Sequence, residues 1–199
     1  MPEDFDGVLA KEKFKEFTVT YVGTLYDGQK VEIFCEAFKR LVDENPSSSL
    51  KLIFPGLSFY KAQQQRIELV MTGYEKYYEC TERMERSKIL EIEKQSHLLL
   101  HVAWDEHSGI IASKIYEYIA SGTFILVTPT DGGAIEEIVQ KSNCGICTKN
   151  VDDTFNFLKT EYENYLQGKF RTNDVSSENV LQFSRQKQAG RLAELLDKI

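Results

Sequence analysis

Lys114 and Glu117 stand three apart in Lys114-Ile-Tyr-Glu-Tyr-Ile-Ala-Ser121. On a helix that spacing puts both on one face, which then offers an ammonium to a phosphate and a carboxylate to ribose hydroxyls. Spacing alone favours the plainer alternative, a surface ion pair worth a few tenths of a kcal/mol. The approach to the segment adds weight to the chemical reading. Trp104-Asp-Glu-His-Ser-Gly-Ile-Ile-Ala-Ser-Lys114 is a polar, glycine-containing loop that runs into a helix N-terminus, where unpaired amides and the helix dipole favour an anion. A second loop, Gly23-Thr-Leu-Tyr-Asp-Gly-Gln-Lys30, carries two glycines that let backbone approach a ligand, and Lys30 opens the following helix where it can meet a phosphate. Its plain reading is an ordinary turn bent at Asp27-Gly28. For a third loop, Thr128-Pro-Thr-Asp-Gly-Gly133, a helix capped by Asp131 or Thr130 is a sufficient account.

Other chemistries lack their residue sets. His97 and His101 flank an apolar run and read as satisfied strand residues, while His107 lies in the loop that enters the candidate site. Neither an Asp-X-Asp nor a His-X-X-X-His spacing accompanies them, so no metal role is expected. Cys144-Gly-Ile-Cys147 has the spacing of a redox or zinc pair, but Cys35 and Cys80 do not repeat it, and a short buried strand with two small apolar residues is the expectation. There is no Gly-X-Ser-X-Gly elbow; Ser121-Gly122 is a helix end.

The elements that must position these loops alternate. Phe17 to Val22 is β-branched and aromatic and stops at Gly23, and from Val31 the apolar residues Phe34, Cys35, Phe38, Leu41 and Val42 make one helix face ending before Asn45-Pro46. The pattern recurs as strand 50–55, a helix through Tyr60, Ile67 and Met71 to Gly73, strand 76–80, helix 82–96, and the nearly continuous apolar run 97–103. Helix 114–121, strand 124–128, helix 134–141 and strand 144–148 follow. Past Val151 only helical spacing continues, at Phe155, Leu158, Tyr162, Tyr165 and Leu166, and a closing helix over roughly 176–199 carries Leu192, Leu195, Leu196 and Ile199 as its apolar stripe. Such alternation implies an α/β, Rossmann-like parallel sheet of about six strands with helices on both faces, plus C-terminal helices. We assign 1–16 to a linker or interdomain segment, 17–175 to the Rossmann-like domain, and 176–199 to a helix packing on or across it. In an open parallel sheet ligands bind beyond the carboxyl ends of the strands, where all three loops lie.

Bulk properties narrow the partners. A chain of 199 residues, 42% hydrophobic and 28% charged, can bury one substantial core. Its net charge of −7 argues against nucleic acid, though not against a small anion bound by local amides. Neither a signal peptide nor a membrane span is legible, and a cytoplasmic protein is expected.

Taken together, these segments resemble the C-terminal domain of the retaining, nucleotide-sugar-dependent GT-B glycosyltransferases, the group that includes glycogen synthase and many bacterial polysaccharide enzymes. Tyr21 to Lys30 resembles the first-strand loop of the subgroup written Gly-X-Leu-Tyr-X-Gly. Ser108 to Val127 resembles the signature helix and the strand after it, and Gly132 to Val139 and Asn143 to Ile146 resemble the next helix and short strand. The resemblance covers about residues 17–199.

It implies the donor-binding half of an enzyme that transfers a hexosyl group from a nucleotide diphosphate sugar to a glycan or lipid-linked acceptor. An N-terminal acceptor-binding domain would be the missing partner, and the full-length enzyme could associate peripherally with a membrane. On that resemblance Lys30 and Lys114 are the catalytic candidates, stabilising the leaving diphosphate without a metal or other cofactor. Glu117 binds the ribose, Gly23 and Thr24 lie near the diphosphate, and His107, Ser108, Gly109 and the amides of Ile110 and Ile111 meet phosphate or sugar. The backbone of Glu79, Cys80 and Thr81 approaches the base. Two family positions differ. The carboxylate usually found eight residues before Glu117 is Gly109, and the arginine usual after the first-strand glycine is Thr24. Two other readings stand beside this one, a nucleotide-sugar epimerase of the same architecture and a non-catalytic Rossmann-like binding module. Without its other half the chain is expected to bind nucleotide and turn over little.

Overall fold

The computed structural model describes residues 5, 7, 8, 12–104 and 109–198. Six strands, β1 (Phe17–Thr20), β2 (Leu50–Phe54), β3 (Tyr78–Cys80), β4 (Leu98–His101), β5 (Phe124–Val127) and β6 (Gly145–Cys147), form one sheet in the order β3-β2-β1-β4-β5-β6. Every pairing is parallel. The strand order reverses between β1 and β4, where Val19 pairs with Leu98 and Thr20 with Leu99. That reversal opens a crevice at the carboxyl ends of those two strands.

Eight α-helices connect and flank the strands among the described residues: α1 (Val31–Glu44), α2 (Lys61–Val70), α3 (Arg86–Gln95), α4 (Lys114–Ser121), α5 (Ala134–Ser142), α6 (Val151–Leu166), α7 (Glu178–Leu181) and α8 (Arg185–Leu196). Alternation along the strands divides the core between the two faces. Leu98, Leu100, Phe124 and Leu126 pack with Phe34, Phe38 and Leu41 of α1 and Phe155 and Leu158 of α6. Leu99, Ile125 and Val127 pack with Ile115, Tyr118 and Ile119 of α4 and Ile135 and Val139 of α5. Strands covered on both faces explain the unbroken apolar run at 98–100. Each such buried side chain contributes about 1.5–3 kcal/mol of transfer free energy.

Four local expectations are corrected. Residues 75–77 form a 3₁₀ turn, so the third strand begins at Tyr78 and not at Lys76. The third helix begins at Arg86, four residues later than its apolar spacing suggests. The Arg83 guanidinium lies 3.5 Å from the Phe59 ring centroid and donates to the Tyr60 hydroxyl at 3.1 Å, which ties the preceding residues across the end of the sheet. The strand between Cys144 and Thr148 is the sheet edge and not buried: Ile146 is exposed, although Cys144 is covered. The single closing helix is two, because Ser184 accepts from the Lys187 amide and starts α8 afresh, and Leu192, Leu195 and Leu196 stand exposed.

The opening segment has contacts of its own. Phe5 packs on Leu90 and Ala120, and Lys13 Nζ donates to the carbonyls of Lys94 and Ser96, closing the C-terminal end of α3. No helix of the described residues is long and apolar enough to cross a membrane.

Candidate functional site

The ends of β1 and β4 meet the start of α4. The Val22 amide donates to the Tyr118 hydroxyl at 2.8 Å, so a fully buried side chain of α4 fastens the end of β1 from below. Gly23 follows with φ of 123°, a conformation that a side chain would strain. From there the loop to α1 is held by Gln29, whose Nε2 donates to the Val102 carbonyl at 2.6 Å while its Oε1 accepts from the Tyr26 amide. Arg66 of α2 clasps the same loop from outside. It pairs with Glu32 at 2.6 and 2.8 Å and donates to the carbonyls of Tyr26 and Gln29. Gly28 is where Trp104 rests: a Cβ there would lie 2.8 Å from the indole, which stacks on Tyr26 with centroids 5.4 Å apart.

These residues enclose a cavity of about 230 Å³, lined among others by Gly23, Thr24, Gln29, His101, Trp104 and Lys114. A second, of about 570 Å³, lies on the other side of Lys114 between Arg86, Glu117, Tyr116, Phe183 and Arg185. A third, of about 280 Å³, continues from Gly23 and Thr24 to Gly56, Tyr60, Arg83 and Met84. Lys114 therefore stands at a junction, with Gly23 and Thr24 at the other end of the smallest cavity.

Lys114 and Glu117 do form an ion pair, but not a surface one. Glu117 is 7% exposed, one of its oxygens meets Lys114 Nζ, and the other lies 2.7 Å from Arg86 of α3. Burial alone would raise the Glu117 pKa, but the neighbouring Glu93 carboxyl, the hydrogen bond from Lys114 and the charges of Lys114 and Arg86 hold it below the ordinary carboxylate value. Among the described residues no side chain accepts from the amides at the start of α4. The contrast with α5 is instructive, because there Asp131 accepts from the amides of Gly133, Ile135 and Glu136 and fills the anion position itself. Among the described residues no intrachain hydrogen bond engages the amides of Ile110 and Ile111, whose side chains are exposed just ahead of α4. The third loop is thus a capped helix start, whereas at the start of α4 no described side chain takes the anion position.

Other expected residues are placed differently. Lys30 is exposed at the start of α1 and lines none of the three cavities; buried Gln29 faces the smallest one instead. Glu79 turns to Lys51, 3.6 Å away. Backbone groups of Cys80 and Thr81 are engaged within the chain, the Cys80 carbonyl by Ser58 Oγ and the Thr81 carbonyl by the Ser58 amide. Arg83 and Met84, two residues further on, line the cavity that the Glu79 to Thr81 backbone was expected to approach. Gly109 lies at the entry to α4 with φ of 93°. His107 and Ser108 lie outside the described residues. His101 does line the smallest cavity, but burial lowers its pKa to about 4, so it is neutral at neutral pH. All four cysteines are free thiols, and among the described residues no group of three or more His, Cys, Asp or Glu side chains is placed to hold a metal.

Arg83, Arg86, Glu93, Gln29 and Arg66 had not been expected at the site. Arg86 and Glu93 come from α3, whose own periodicity identifies a helix but says nothing of which neighbour its polar side faces.

Comparison with known proteins identifies the family and the fold. A family model described as glycosyl transferases group 1 matches residues 16–160. No curated protein sequence matches the chain. Among solved structures, a glycosyltransferase from Rickettsia africae superposes with a TM-score of 0.70 at 14% identity, covering 93% of this chain and 48% of that one. Anabaena HepE in complex with UDP gives 0.69 at 17% identity, covering 100% and 54%. The pneumococcal O-GlcNAc transferase GtfA, in complex with UDP and GlcNAc, gives 0.64 at 14% identity, covering 95% and 37%. At such identities the likeness is one of fold, and the chain spans about half the length of the first two.

Proposed function

The chain belongs to the group 1 glycosyl transferases, and on that footing we propose that it holds a nucleotide diphosphate sugar where the crevice between β1 and β4 meets α4. Lys114 and the amides of Ile110 and Ile111 receive the diphosphate, with Gly23 and Thr24 close by. Glu117 takes the ribose hydroxyls, and the cavity between Gly56, Tyr60, Arg83 and Met84 admits the base. The observation that carries this reading is the junction at Lys114: a helix start that no described side chain caps, an ammonium and a buried carboxylate converge on two cavities. UDP in the HepE and GtfA structures supports a nucleoside diphosphate as the ligand class.

The reaction we assign to the whole enzyme breaks the bond between the anomeric carbon and the diphosphate and forms one from that carbon to an acceptor hydroxyl, whose proton leaves. Negative charge grows on the departing diphosphate, and the preorganised Lys114 charge and α4 amides stabilise it there. We assign the acceptor, a glycan or lipid-linked sugar, to a second domain, so the present chain alone transfers hexose slowly or not at all. The same reading makes the protein cytoplasmic and independent of a metal.

Trp104 is the only tryptophan, and it shares a cavity with Lys114. Titration with UDP or GDP should change its fluorescence saturably, and Glu117→Ala should weaken binding about tenfold, roughly 1.4 kcal/mol for lost charge-assisted hydrogen bonds. Absence of a saturable response to either nucleotide, checked by calorimetry, would overturn the proposal.

A further inference from the structure

Behind Glu117 lies a second, buried carboxyl. Glu93 of α3 is fully buried, and neither of its side-chain oxygens receives a hydrogen bond. Lys114 Nζ, 3.7 Å from one of them, is beyond hydrogen-bond reach and bonds Glu117 instead. The group set to hydrogen-bond Glu93 is the Glu117 carboxyl, and two carboxyls can share such a bond only if one holds a proton. Glu117 already faces two cations, Lys114 and Arg86, so the negative charge belongs on Glu117 and the proton on Glu93.

We propose that Glu93 is the positioning residue of the donor site: as a neutral carboxylic acid it donates a hydrogen bond to the Glu117 carboxylate and leaves Lys114 directed to the cavities it lines. This rests on the donor-site reading above. An isolated carboxylate in an apolar interior is far costlier than a protonated one, so the chain keeps this group neutral. Burial first, and the negative charge of Glu117 second, raise the Glu93 pKa well above the ordinary carboxylate value against the pull of Lys114 and Arg86.

The consequence is electrical. With Glu93 neutral, Lys114 and Arg86 outweigh Glu117 by one positive charge, which suits a diphosphate. Were Glu93 ionised, the four groups would sum to zero, and Lys114 Nζ, now 3.7 Å away, would be drawn inward toward it. Among the described residues the surrounding titratable groups are these. Arg86 shares α3 with Glu93, Lys114, Glu117 and Tyr118 come from α4, and Lys13 reaches Thr123, whose hydroxyl donates to the Glu93 backbone carbonyl. Tyr118 is held protonated by burial, and burial lowers Lys13 to about 8.

Carboxyl ¹³C NMR of glutamate-labelled protein, assigned with Glu93→Gln and Glu117→Gln, reads this without ligand. Glu93 should be protonated at neutral pH and Glu117 ionised. Glu93→Gln, which keeps a neutral donor, should leave the Glu117 titration low, while Glu93→Ala should move it upward. UDP affinity of the wild type should then fall about tenfold as the pH rises through the Glu93 titration read by NMR, as one positive charge is lost, whereas Glu93→Gln should lack that fall. An ionised Glu93 at neutral pH, or a Glu117 titration unmoved in Glu93→Ala, overturns the proposal. So does UDP binding whose pH profile is the same in wild type and Glu93→Gln. If UDP binds none of the proteins while the carboxyl titrations behave as stated, the acid pair stands and the donor-site reading fails.

Discussion

Lowering the pH from 7 to 5 should destabilise the chain mainly through two histidines that are buried neutral. His97 is 3% exposed, and its Nδ1 accepts the Thr18 amide at 3.1 Å, a bond that an imidazolium cannot accept. Burial, and then the Lys13 charge, lower its pKa to about 4; burial does the same for His101. The unfolded chain takes up protons through pH 6.5 while the native one refuses them until about 4, so stability falls as pH falls across that window. At pH 5 an unfolded histidine with its ordinary pKa is almost fully charged and the native one almost neutral, a difference of about 2 kcal/mol for each residue. The two histidines together cost about 4 kcal/mol, an effect offset in part by Glu93, which holds its proton in the native chain while the unfolded chain binds one only toward its ordinary carboxylate value; urea unfolding at the two pH values records the net, and a histidine variant isolates the histidine share. In His97→Asn, Oδ1 can take the Thr18 amide and does not titrate, so the loss should be about 2 kcal/mol smaller than in the wild type. An equal loss in both proteins, or a His97 NMR titration centred at the ordinary histidine value, would refute the reasoning.

Two further outcomes follow from the loop between β1 and α1. Gly28→Ala places a methyl 2.8 Å from the indole of Trp104 and should push it off Tyr26, seen as a red shift of tryptophan emission with far-ultraviolet circular dichroism unchanged. Arg66→Met removes the bidentate pair with Glu32 and two hydrogen bonds to loop carbonyls, and hydrogen exchange of residues 24–29 should accelerate about tenfold, corresponding to roughly 1–2 kcal/mol of local stability.

Much of the frame was legible because its signals are local and redundant. The nearly continuous apolar run over 97–103 marked the covered central strand, found at Leu98–His101, and the helix over Lys114–Ser121 matches its expected bounds residue for residue. The α5 cap at Asp131 was likewise readable, since an Asx side chain reaches its own helix start. The site proved harder because its electrostatics cross the sheet topology. Glu117 was visible as half of an i, i+3 pair, but Arg86 and Glu93 reach it from a helix 24 or more residues away in sequence, through packing that no spacing encodes. Lys30 and Gln29 show how little spacing says about side-chain direction. A basic residue at a helix start suggests a phosphate, yet the neighbouring Gln29 takes the inward position because its amide alone can satisfy the Val102 carbonyl and the Tyr26 amide together. The late start of α3 has the same origin, since Arg83 prefers the Phe59 ring to a helical turn. At the C-terminus the apolar spacing of Leu192, Leu195 and Leu196 reports a helix correctly, and their exposure shows that periodicity identifies a face without identifying what covers it.

A crystal structure of the chain grown with UDP is the most direct examination of the donor site. The account requires the diphosphate within hydrogen-bond distance of Lys114 and the amides that open α4, and the ribose hydroxyls on Glu117 with Arg86 moved aside. Ordered nucleotide anywhere else on the sheet, or a Lys114–Glu117–Arg86 cluster unchanged beside a bound nucleotide, would contradict it.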